Sequence, residues 1–149
     1  MNQLLITSIF LITIIPSVLS RPTEEHPRYT AARLTDEYKF ILDGKVKLAD
    51  SHIFTEDLVV DDCGSGGDYN YFSDKLDVLI PKLSQVEMNV KFAYPVPFAN
   101  NTIQFTVDET LTLLNDEVQQ GEKAFFARLD DKDDDYKIYD IRSVPCYSQ

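Results

Sequence analysis

The chain has 149 residues, 44% of them apolar, with 25 acidic against 14 basic side chains and a formal net charge of −11. Such an acidic protein repels phosphate backbones, which excludes nucleic acid and anionic lipid as natural partners. The length fits one domain with a real core.

The chain opens on an apolar run from Leu4 to Leu19, interrupted by Pro16 and followed by Ser20. The run is shorter than the roughly 20 residues that a membrane span needs. Val18 and Ser20 occupy the −3 and −1 positions of a cut before Arg21. The segment reads as a secretory signal peptide, residues 1–20, which predicts a secreted, extracellular protein with no membrane contact after cleavage. No Lys or Arg precedes the run, so an uncleaved anchor is the competing reading. Residues 21–29 are polar, contain Pro22 and Pro27, and are predicted to form a mobile leader to a domain over 30–149.

Leu34, Tyr38, Ile41 and Leu42 recur at helical spacing, and Gly44 ends that helix. Val46, Ala49 and Ile53 predict a second short helix. Asp57-Leu58-Val59-Val60 reads as a strand. The glycine-rich stretch Cys63-Gly64-Ser65-Gly66-Gly67-Asp68 is expected to be a flexible connection. It resembles a phosphate loop only in composition, because no Gly-Lys-Ser/Thr follows. Phe72, Leu76, Leu79 and Leu83 predict a third helix, capped by Ser73 or Asn70 and ended or kinked by Pro81.

From Val86 the period changes to two. Val86, Met88, Val90, Phe92 and Tyr94 alternate with polar residues, as do Ile103, Phe105, Val107, Leu111 and Leu113. Phe125 and Leu129 share a face, and Tyr136 to Ile141 forms a last strand. Four consecutive strands predict an antiparallel meander, and helices followed by sheet is the α+β pattern.

The two cysteines, Cys63 and Cys146, are expected to form a disulfide in a secreted chain. A loop this long is worth about 4–5 kcal/mol in the chain-entropy model, less any strain. A free nucleophilic thiol or an intermolecular bridge is the alternative. Asn100-Asn101-Thr102 is a glycosylation sequon at Asn100, placed in the loop between the first two long strands. Asp131, Asp133 and Asp135 have the 1, 3, 5 spacing of a calcium loop, but Tyr136 and Arg142 stand where that loop needs Gly and Glu. A solvated hairpin turn is the expected role of the acidic run, and neither a metal nor a cofactor is implied. His26 and His52 are the only imidazoles. Cys63 and His52 could pair as nucleophile and base only if the thiol were reduced.

The order helix, helix, short strand, helix, four long strands resembles the nuclear transport factor 2-like cone of the cystatin-like α+β superfamily. The segment Tyr38 to Gly64 is the most family-like part, and the match runs from Thr30 to Ser143. With its signal peptide and cysteine pair, the chain looks most like the small secreted members found in nematodes. The resemblance implies three helices packed in a curved antiparallel sheet, often around a pocket. It does not imply nuclear transport, which a signal peptide forbids.

By resemblance to the ketosteroid-isomerase-like members, a tyrosine falls on Tyr38 and a carboxylate base on Asp62, beside Asp61. The third role, a protonated acid, falls on Phe125, which has no proton to give. Three functions follow as expectations. The first is a non-catalytic module binding a small apolar ligand or an extracellular protein. The second is an isomerase- or dehydratase-like enzyme using Asp62 and Tyr38. The third is a structural homodimer formed through the outer sheet face.

Overall fold

The computed structural model describes residues 26–144. Helix α1 (Pro27–Leu42) is followed by strand β1 (Phe54–Asp62), the short strand β2 (Ser65–Gly67) and helix α2 (Tyr69–Leu79). Four long strands complete the chain: β3 (Leu83–Pro95), β4 (Thr102–Leu113), β5 (Val118–Asp130) and β6 (Asp135–Val144). All six strands form one sheet in the order β2-β1-β6-β5-β4-β3. The meander β3 to β6 is antiparallel, as its alternation predicts, whereas β1 joins β6 in parallel.

Helix α1 begins at Pro27, with its missing N–H in the first turn where no partner is needed. Nδ1 of His26 accepts from the N–H of Arg28 at 3.3 Å. The helix therefore claims Pro27 to Tyr29, which the sequence assigns to a mobile leader. Leu34, Tyr38, Ile41 and Leu42 are all buried against the inner face of the sheet.

Among the described residues two α-helices form, not three. The segment expected as a second helix makes only one 3-10 turn, Leu48–Asp50. Val46 and Ala49 are exposed, and the buried residues are Ile53 and, in part, Leu48. The carbonyl of Ile53 accepts from the N–H of Ile138 at 2.7 Å. That bond commits the end of the segment to the sheet and leaves too few residues after Gly44 for a stable helix. Helix α2 is capped by Asp68, whose carboxylate accepts from the N–H groups of Asn70 and Tyr71; Ser73 and Asn70 lie inside the helix. Its end passes into a 3-10 turn containing Pro81.

The glycine-rich stretch is a tight hairpin instead of a flexible connection. Cys63 and Gly64 take positive φ, 56° and 90°, between the paired residues Asp62 and Ser65. Two successive positive φ values are what a two-residue turn on twisted strands demands. A side chain on Gly66 would meet the carbonyl oxygen of Val60 at 2.2 Å, and one on Gly67 would meet Tyr71 Cβ at 2.6 Å. These glycines permit close approach rather than motion.

The acidic run forms the β5–β6 turn, where Lys137 pairs with Asp130 at 3.0 Å and also with Asp133. The segment expected to be a signal peptide and Cys146 lie outside the described residues.

Candidate functional site

The inner face of the sheet and one side of α2 enclose a cavity of about 690 Å³. The apolar part of its walls comes from Val60 and Ile141 of the sheet, Leu76 and Leu79 of α2, and Leu111 and Leu113 of β4. The volume lies within the range of small-molecule pockets.

A row of polar side chains crosses this apolar interior. Strand alternation places Ile103, Phe105, Val107, Glu109 and Leu111 on one face of β4, and all are buried. Glu109 is thus a carboxylate in a hydrophobic register. On β5, Gly121, Lys123, Phe125 and Ala127 face the same way, with Gly121 opposite Glu109 and Lys123 opposite Val107. Nζ of Lys123 reaches Oε1 of Glu109 at 3.1 Å and lies 6.0 Å from the centre of the Tyr38 ring. On β6, Ser143 lies opposite Lys123 and donates from Oγ to Oδ1 of Asp62 at 2.6 Å. Lys75 of α2 pairs with Oδ2 of the same carboxylate. Glu109, Lys123, Ser143, Asp62 and Lys75 therefore form a polar row from β4 to α2, all of them lining the cavity.

The electrostatics follow from these contacts. Burial pushes the Tyr38 phenol up to about 12; Lys123 opposes that shift, and Glu109 and Asp62 reinforce it. Burial works against the Lys123 ammonium, but its electrostatic partners Tyr38, Glu109 and Asp62 outweigh burial and raise its pKa. The hydrogen bonds from Lys75 and Ser143 hold Asp62 below the ordinary carboxylate value. Each charge in the row is matched: Lys123 with Glu109, Lys75 with Asp62.

The structure brings Tyr38 and Asp62 to one cavity. It does not bring Phe125, whose ring stacks on Phe105 with centroids 5.1 Å apart and meets Tyr38 edge-on at 5.6 Å. A further carboxylate of the cavity wall, Glu109, stands on the neighbouring strand β4. Sequence reasoning missed Glu109, Lys123, Lys75 and Ser143. Two signals were present: Glu109 continues the spacing of Ile103, Phe105 and Val107, and Lys123 lies two residues before Phe125. A charged residue at an inward position of a strand is the informative kind.

Cys63 and His52 flank β1 at opposite ends, with His52 exposed before it and Cys63 in the turn after it. A strand of that length separates them by roughly 25–30 Å, so they form no catalytic pair. Asn100 lies exposed in the β3–β4 loop, as expected for an accessible sequon. No group of three or more His, Cys, Asp or Glu side chains is placed to hold a metal ion among the described residues.

No protein-family model and no curated protein matches the chain. Solved structures do. A nuclear transport factor 2-like protein of unknown function from Shewanella oneidensis superposes with a TM-score of 0.65 at 14% identity, covering 79% of this chain and 98% of that one. A candidate aromatic ring hydroxylase from Novosphingobium aromaticivorans gives 0.63 at 15% identity, over 78% and 87%. A candidate ketosteroid isomerase from Shewanella frigidimarina gives 0.60 at 7% identity, over 81% and 97%. The fold is therefore nuclear transport factor 2-like.

Proposed function

We propose that this protein is a secreted, non-catalytic binding domain whose cone pocket holds a small, mainly apolar ligand. The observation that carries this reading is the cavity itself: apolar walls closing on a row of polar groups whose charges are already paired. An apolar pocket with a few converging polar groups is the usual form of a small-molecule site. A carboxylate base works best with its pKa raised towards the working pH. Asp62 is shifted the other way by Lys75 and Ser143, which favours binding over proton abstraction.

Gly121 supplies the test. It shares the inward face of β5, lines the cavity, and has open space where a Cβ would stand. Gly121→Trp is expected to add bulk at the cavity wall, where an added Cβ meets no atom within 4 Å. Uptake of the apolar fluorophore N-phenylnaphthylamine is expected in the wild type and at least tenfold weaker in the variant, by roughly 1.4 kcal/mol or more. Equal uptake by both proteins refutes the pocket reading.

The placement of Tyr38 and Asp62 on one cavity favours a second reading, an isomerase-like enzyme. Its test is deuterium exchange next to the carbonyl of a cyclic ketone, followed by NMR. Exchange that is present in the wild type and lost in Asp62→Asn supports the enzyme.

Export of the chain, cleavage before Arg21, the Cys63–Cys146 bridge and a glycan at Asn100 belong to the same proposal. They rest on the signal-like segment, the cysteine pair and the exposed sequon.

A further inference from the structure

We propose that the ligand of this pocket presents a hydrogen-bond donor, a hydroxyl or an ammonium, to Oε2 of Glu109, and that carboxylates are rejected. The inference rests on the pocket reading above and adds the chemistry of the group at the ligand's inner end.

Glu109 is 6% exposed and lines the cavity. Its Oε1 is bonded to Lys123, whereas Oε2 is buried and has no hydrogen-bond partner among the described residues. A buried carboxylate oxygen without a donor is unfavourable, and charged acceptors gain most from being paired. Neither flanking strand supplies the donor. The residue opposite on β5 is Gly121, which has no side chain, and the residue opposite on β3 is Met88, whose thioether cannot donate. Gly121 leaves open space on the strand opposite Glu109.

Charge sets the sign of the selectivity. Asp61, Asp62, Asp74 and Glu109 line the cavity against Lys75, Lys82 and Lys123, so acidic groups are in excess. Lys75 and Lys123, the cations of the polar row, are each paired with a carboxylate. An alcohol or amine head gives Oε2 its missing bond. A carboxylate head brings a second anion to Glu109 and no donor.

The experiment measures displacement of bound N-phenylnaphthylamine near neutral pH by decanol, decylamine and decanoate, which share one apolar body. Decanol and decylamine are expected to compete at least tenfold more strongly than decanoate in the wild type. Their relative order tells a neutral donor from a cationic one. In Glu109→Gln the acceptor carboxylate is gone and Lys123 has lost its counter-charge, so decanoate is expected to gain and the order to level or reverse. Should that variant fail to fold, Glu109→Gln with Lys123→Met removes both charges, and the tenfold preference is expected to vanish. Decanoate competing as well as decanol and decylamine in the wild type overturns this inference alone, as does an unchanged order in a folded variant. A wild type that takes up no fluorophore overturns the pocket reading and this inference with it.

Discussion

Tyr38 shows how one side chain serves both core and cavity. Its ring packs against Phe54, Phe72 and Phe125, yet the residue also lines the cavity beside Lys123. An unfolded phenol loses its proton near pH 10, whereas Tyr38 holds its proton until about 12. The stability from this difference is complete below pH 10 and is lost as the pH rises towards 12. Lys123, whose pKa is also raised, acts in the same direction. Urea unfolding at stepped alkaline pH is expected to show this decline, and Tyr38→Phe is expected to remove on the order of 2 kcal/mol of it. Asp62 has the opposite sign: its lowered pKa contributes stability above the ordinary carboxylate value and loses it as the pH falls below that value. Because Asp62 and Lys75 are more than a third exposed, solvent screens their pairing. Asp62→Asn is expected to lower stability by less than about 1 kcal/mol at neutral pH, as read by the same unfolding curves.

Strands β4 and β5 carry two demands on one face. Below, Phe105 stacks on Phe125 in the closed core; above, Glu109 and Lys123 interrupt the apolar register and open into the cavity. Phe105→Ala is expected to cost about 3–5 kcal/mol by chemical denaturation. Removing Glu109 alone strands a partly buried ammonium and is expected to cost roughly 2 kcal/mol or more, whereas Glu109→Leu with Lys123→Met is expected to be at least as stable as the wild type. That pattern would mark the ion pair as kept for what it does in the pocket. A double variant as unstable as the single one would make it a structural pair instead. The helical elements obey a different balance. The period of α1 is long enough to be self-evident, but the Val46, Ala49, Ile53 pattern is outweighed by the commitment of Ile53 to the sheet.

At the scale of the molecule, β6 pairs antiparallel with β5 and parallel with β1, which carries Asp62 to the side of Ser143. The tight β1–β2 hairpin then turns the chain into α2 and sets Lys75 against the same carboxylate. On the outer face, Arg128 lies 5.2 Å from the Tyr139 ring centre and Arg142 5.0 Å from that of Phe126. This face mixes charge with aromatic surface, and a homodimer, the third expectation from the sequence, would use it. Sedimentation is expected to give a dimer that Tyr139→Glu dissociates; a wild-type monomer refutes the dimer. If the chain is exported as proposed, intact mass before and after reduction is expected to reveal one bridge between Cys63 and Cys146. Two free thiols in the native mass would remove it.

Sequence by itself determined the elements whose signal is local and long: the face of α1, the alternation of the four meander strands, the turn in the acidic run, and the class of fold they compose. Tyr38 and Asp62 were legible as candidates from the resemblance. Only the tertiary structure decided that the glycines after Cys63 serve close approach, that β1 lies parallel to β6, and that Glu109 and Lys123 meet in one cavity with Asp62. The physical reason is range. Helix and strand periods are written within a dozen residues, but a polar row across β4, β5, β6, β1 and α2 depends on register between segments far apart in the chain. A charged residue at an inward position announces itself in the sequence; its partner is fixed only when the strands pair.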